Sequence, residues 1–222
     1  MKFVEYPDRE MMMIDVANVL AGELNSCLMR HEWASFALPG GSTPGPMFDA
    51  LCAADLDWDR VHVMLADERW VPETSDRSNT KLIRERLLVE RAAAARYVSI
   101  HAAADRPEDA IDALSDDLRA ELPLSVLVLG MGDDMHVASL IPGADGLHHA
   151  MTTDDVLAPI RVPGSDEARI TMTASVLKGA MATHLLITGA AKRAALERAQ
   201  TLAPADAPVR VILGDATVHW AE

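Results

Sequence analysis

A histidine that takes a proton from water needs a partner to fix its ring and a backbone that presents it to a ligand. His136 has both within reach, in Gly130-Met131-Gly132-Asp133-Asp134-Met135-His136. The glycines permit an unusual backbone path, and Asp134 is placed to hold the imidazole in one tautomer. A lone histidine is more often structural or solvated than catalytic, so its surroundings decide its meaning. Asp67-Glu68-Arg69 brings two adjacent carboxylates, which suit hydroxyl orientation or proton shuttling, or else form an exposed salt-bridged turn. Gly40-Gly41-Ser42-Thr43 lets an anion approach the backbone, and its hydroxyls either meet phosphate oxygens or cap a helix. It lacks the lysine and spacing of a P-loop and the GxGxxG of a dinucleotide turn, so nucleotide binding is unsupported. Arg77, Arg169 and Lys192 gain value only by convergence. No second His or Cys stands at ligand spacing beside His136, so no metal is expected, and no serine sits in a GxSxG elbow.

The elements that must position these groups alternate in kind. Short apolar runs at 34–38, 61–66, 97–100, 126–130, 156–162, 185–188 and 209–213 predict buried strands. Helical spacing predicts helices over 10–31, 46–54, 79–90, 107–121 and 190–201. This alternation predicts one α/β domain over residues 1–222 with a mainly parallel sheet covered on both faces. In such sheets ligands bind beyond the carboxyl ends of the strands. Each chemistry-bearing turn follows a predicted strand, so the turns should meet on one sheet edge. Met11-Met12-Met13 reads as core packing, and His148-His149 as a surface pair on a strand.

Composition narrows the partners. The formal net charge of −14 disfavours nucleic acid and anionic lipid. It also repels an anionic substrate unless basic side chains converge locally. The two cysteines, Cys27 and Cys52, form no disulfide framework and fit a reducing cytoplasm. No export signal and no apolar run of about 20 residues are present, so a soluble cytoplasmic protein is expected, as a monomer or weak homodimer.

Taken in order, the segments resemble the 6-phosphogluconolactonase family over nearly the whole chain. Residues 39–44 are similar to its GGSTP loop, 67–72 to DERWVP, and 76–79 to the SN-containing turn that follows. Residues 130–143, GMGDDMHVASLIPG, resemble GMGxDGHTASLFPG; 169–173 resemble an RITLT strand, and 189–192 a GxxK turn. The resemblance implies a modified Rossmann-like three-layer sandwich, shared with glucosamine-6-phosphate deaminase and ribose-5-phosphate isomerase. It implies hydrolysis of a phosphosugar lactone, 6-phospho-D-glucono-1,5-lactone, in the oxidative pentose phosphate pathway, without cofactor or metal. His136 would then be the general base, oriented by Asp134, with Asp67 beside it. Gly40, Gly41, Ser42, Thr43, Arg77, Arg169 and Lys192 would hold phosphate and sugar oxygens.

Three positions depart from the pattern: Met135 for Gly, Thr80 for Tyr, and Ser125 for Asp. If residue 135 needs a positive φ, Met strains the loop. The alternatives are a glucosamine-6-phosphate deaminase/isomerase or an inactive sugar-phosphate-binding protein. Those deaminases carry a glutamate five residues beyond the histidine, where this chain has Ile141.

Overall fold

Runs of Val, Leu and Ala buried on both faces pair side by side, and helices lie between them in the chain. The computed structural model describes residues 1–222. In chain order the elements are β1 (Lys2–Glu5), α1 (Arg9–Leu28), β2 (Ala34–Leu38), α2 (Gly45–Leu51), β3 (Val61–Leu65), β4 (Asp67–Arg69), α3 (Asn79–Arg86) and β5 (Arg96–Tyr97). They continue as α4 (Ile111–Arg119), β6 (Val126–Gly130), α5 (Leu147–Thr152), β7 (Leu157–Arg161), β8 (Ala168–Met172), α6 (Ala174–Lys178), β9 (Ala182–Thr188), α7 (Gly189–Ala199) and β10 (Thr217–Ala221). Seven strands form one sheet in the order β1-β10-β9-β6-β2-β3-β5, and every pairing in it is parallel. The expected α/β class with a mainly parallel sheet is what the chain adopts. No helix is long and apolar enough to cross a membrane.

The helix α1 begins because the Asp8 carboxylate accepts from the Met11 N–H at 2.8 Å, and its apolar stripe from Met12 to Leu28 packs inward. Met12 and Met13 are buried, as core packing requires, while Met11 is exposed.

Several expectations are corrected. Residues 209–213 do not form a strand; Pro208–Val211 is a 3-10 turn, and the strand comes later as β10. Pro208 presets a helical φ, and a short apolar run alone does not distinguish helix from strand. The run at 97–100 contributes only β5. The run at 156–162 yields β7, which belongs to a second, antiparallel sheet ordered β4-β8-β7. His148 and His149 are exposed as expected but lie on α5 rather than on a strand. The chain leaves the large sheet at Ala66, whose N–H donates to Leu38 O (2.8 Å) and whose carbonyl accepts from Met172 N–H (2.9 Å).

A buried polar chain links β10 to β9 and α1. Tyr6 Oη lies 2.8 Å from His219 Nδ1, His219 Nε2 lies 3.0 Å from His184 Nδ1, and His184 Nε2 lies 2.7 Å from Glu23 Oε2. Two neutral rings satisfy every link, each giving one proton and accepting one. Burial, reinforced by repulsion from Lys2 and from the neighbouring His184 ring when protons are added, holds His219 down to about 4 against an ordinary 6.5. The unfolded chain therefore binds this proton more readily, and the group's stabilisation is lost as pH falls from about 6.5 through about 4. Acidification across that window should cost up to about 3 kcal/mol at this residue. Urea midpoints of the parent and His219→Gln proteins should converge as pH is lowered, and parallel curves would contradict the assignment.

Candidate active site

The strands β9, β6, β2 and β3 are consecutive neighbours and run in one direction, so their carboxyl ends share an edge. The turns that follow them enclose a cavity of about 290 Å³, lined by Gly40, Gly41, Ser42, Thr43, Asp67, Arg69, His136, Arg169 and Lys192 among others. The expected meeting of chemistry-bearing turns on one sheet edge is realised.

The His136 loop is closed by its own backbone. Gly132 N–H donates to His136 O at 2.9 Å, and Met135 N–H to Gly132 O at 3.0 Å. This tight path places the imidazole and the Asp134 carboxylate directly over Gly132, where a Cβ would collide with both. His136 Nδ1 lies 2.5 Å from Asp134 Oδ1. Burial pushes the Asp134 carboxyl up, but the His136 charge and hydrogen bonds outweigh it and hold the group below its ordinary value. An ionised Asp134 accepts from Nδ1–H, which leaves Nε2 as the ring's acceptor. No three His, Cys, Asp or Glu side chains are grouped to hold a metal ion.

Met135 has φ 66°, the left-handed conformation that the missing glycine would favour. Its half-buried side chain packs against the core, and its carbonyl accepts from Val209 N–H at 3.0 Å. Met135→Gly should stay within about 1 kcal/mol of the parent, since relief of the backbone is offset by a freer unfolded chain and lost packing. Met135→Val should lower stability by about 1–3 kcal/mol, because a β-branched residue tolerates this φ poorly. Urea unfolding decides the matter; a valine protein as stable as the parent shows that the position is unstrained.

Asp67-Glu68-Arg69 is a strand, not an exposed turn, and this separates its two carboxylates. In β4, Asp67 and Arg69 share one face and line the cavity, while Glu68 points the other way. Asp67 accepts from Ser139 Oγ at 2.6 Å. Burial pushes the Asp67 carboxyl up, against the opposing pull of Ser139, Arg69 and Arg169. Glu68 is 1 % exposed and does no chemistry in the cavity. Its oxygens accept from the N–H groups of Arg69, Asn79 and Thr80 and from the hydroxyls of Ser78 and Thr80, at 2.7–3.1 Å. Thr80 also pairs with Tyr97 Oη at 2.8 Å. The third departure, Ser125, stands just before β6 and exchanges two hydrogen bonds with Ser35 of β2 (3.0 and 3.1 Å).

On the anion side, Gly41 takes φ 85° in the loop after β2, and no side chain caps α2. Ser42 and Thr43 therefore do not serve as its cap and face the cavity instead. Lys192, in the first turn of α7, donates to Met131 O at 2.7 Å. Arg169 is half-buried, and burial lowers its guanidinium despite the attraction of Asp67. Arg77 does not line the cavity: its guanidinium fork engages Glu167 through Nε (3.1 Å) and Nη2 (2.8 Å), a matched planar pair. Arg69 stands in the cavity in its place, held by Nη1 donating to Arg77 O at 2.7 Å, with its buried Nε unpartnered. Sequence reasoning missed Arg69 and Asn79 as cavity-lining residues and Ser139 as the buried partner of Asp67. Two-residue alternation with Asp67 would have indicated Arg69 had the segment been read as a strand.

Comparison with known proteins agrees with this architecture. The family model described as glucosamine-6-phosphate isomerases/6-phosphogluconolactonase matches residues 7–220. A 6-phosphogluconolactonase of Pseudomonas aeruginosa is 41 % identical over 92 % of this chain and 88 % of its own length. The crystal structure of a 6-phosphogluconolactonase from Shewanella baltica superposes with a TM-score of 0.96 at 28 % identity, covering 100 % of this chain and 97 % of that one. A monomeric glucosamine-6-phosphate deaminase, at 17 % identity and a TM-score of 0.82 over 100 % of this chain and 98 % of that one, shares the fold alone. With its strand-end turns assembled in the same order as the family's motifs, the chain belongs to the glucosamine-6-phosphate isomerase/6-phosphogluconolactonase family.

Proposed function

We propose that this chain, acting as one domain, hydrolyses 6-phospho-D-glucono-1,5-lactone to 6-phosphogluconate in the oxidative pentose phosphate pathway. The observation that carries the reading is the Asp134–His136 pair opening into a cavity lined by Arg69, Arg169 and Lys192. These cations also answer the charge problem, since a chain of net charge −14 needs local positive groups to hold a phosphate.

In this mechanism Nε2 of His136 draws a proton from a water as its oxygen attacks the lactone carbonyl carbon. Asp134 keeps the ring in the required tautomer and stabilises the imidazolium that forms. The intermediate collapses by breaking the bond from the carbonyl carbon to the ring oxygen, and His136 returns the proton to that oxygen. Asp67 orients a sugar hydroxyl. The Gly40–Thr43 loop with Arg169 and Lys192 holds phosphate and sugar oxygens, and Arg69 takes the part that Arg77 was expected to play. No step calls for a metal or cofactor. The same reading makes the protein a cytoplasmic monomer or weak homodimer without nucleic-acid partners.

Purified protein should consume freshly generated lactone well above the spontaneous rate, followed as acid release at constant pH. A rate equal to the blank, with ammonia released from glucosamine 6-phosphate, would replace this reading by the deaminase.

A further inference from the structure

Two adjacent aspartates leave the His136 loop in different directions. Asp134 holds the imidazole, while Asp133, with its side chain 84 % exposed, places Oδ1 3.1 Å from Nζ of Lys192. Lys192 is itself fixed by the Met131 carbonyl at 2.7 Å, and its side chain is only 27 % exposed. An amine that lines the cavity is thus paired with a carboxylate before any ligand arrives. The backbone bonds that close the turn between Gly132 and His136 set where Asp133 stands.

We infer that Asp133 is a positioning residue that competes with the ligand's anionic group for Lys192 and so sets how tightly phosphorylated ligands are held. For its consequence the inference rests on the lactonase reading. Hydrolysis breaks the bond between the carbonyl carbon and the ring oxygen, adds the water oxygen to that carbon, and leaves an acid that ionises. The product therefore carries one more negative charge than the substrate. A cavity lined by Arg69, Arg169 and Lys192 attracts the product more strongly than the lactone. A carboxylate ready to retake the Lys192 amine opposes that retention and favours release. Because Asp133 is exposed, the pair contributes little to folding, and its loss registers in ligand affinity.

The test compares the parent with Asp133→Asn and Asp133→Glu at about 10 mM ionic strength, where surface charges are least screened. Calorimetry with inorganic phosphate and with 6-phosphogluconate should give dissociation constants about two- to fivefold lower for the asparagine protein, the range exposed ion pairs supply. KM for the lactone should fall similarly, product inhibition should strengthen, and the difference should shrink in high salt. The glutamate protein should bind like the parent, and all three should unfold at the same temperature. Asp133→Ser gives the same readout should the asparagine protein be unstable. Unchanged or weaker phosphate binding by a folded neutral variant overturns the inference. The phosphate arm also separates the two claims. Tighter phosphate binding without lactone turnover removes the lactonase reading alone, and turnover without tighter binding removes Asp133's role alone.

Discussion

His136→Ala should fold as the parent does and lose about 10²–10⁴-fold in kcat, the range assigned to a positioned general base. The backbone bonds that shape its loop, Gly132 N–H to His136 O, Met135 N–H to Gly132 O and Val209 N–H to Met135 O, do not involve the imidazole. The side chain is about a third exposed, so its truncation leaves no enclosed void. Arg69, Arg169, Lys192 and the Gly40–Thr43 loop stay in place, so KM should move little while kcat collapses. Circular dichroism and thermal unfolding establish the fold, and lactone turnover establishes the loss. An alanine protein as active as the parent would remove His136 from the mechanism.

Glu68→Ala should have the largest effect on stability, about 3–5 kcal/mol, although the residue never touches the cavity. Removing its carboxylate strands the buried N–H groups of Arg69, Asn79 and Thr80 and the hydroxyls of Ser78 and Thr80. Each lost partner leaves a desolvated donor, at about 1–3 kcal/mol before relaxation. Glu68→Gln should recover only part of this, since an amide nitrogen would face donors where an oxygen accepted. The damage should reach the site, because the Asn79 amide that donates to Asp67 O at 3.0 Å leaves the same cluster. Urea unfolding measures the cost. A Glu68→Ala midpoint within about 1 kcal/mol of the parent would show that the cluster re-pairs with water.

Features built from neighbours in the chain were legible beforehand. β2, β6 and β9 stand out because strands buried on both faces read as largely apolar runs, β2 and β6 followed by glycine-rich turns and β9 by Gly189 at the start of α7. His136 and Asp134 are two residues apart, and the glycine that lets them meet is Gly132. The need for a positive φ at residue 135 was visible as a question and has the answer 66°. Features that depend on partners far along the chain were not legible. β1 and β10 pair across more than 200 residues, and β1 is largely exposed with little apolar pattern of its own. Whether residues 157–161 join the parallel sheet or an antiparallel one depends on β8 and β4, not on their own composition.

The alternation of apolar runs with helical spacing by itself determined the class of fold, and the order of the strand-end turns pointed to the edge where the candidate site forms, with its histidine and aspartate. These are short-range facts, set by hydrophobic runs, turn residues and i, i+2 spacing. Only the tertiary structure decided which cations line the cavity and which carboxylate is buried away from it. Arg69 enters the cavity and Arg77 leaves it for Glu167 because β4 pairs with β8 in a register that sets Arg69 opposite Arg169 and Asp67 opposite Thr171. That same register turns Glu68 away into its five donors. A long-range pairing chooses the face each side chain takes, and a sequence with period-two alternation carries no label for which face is which.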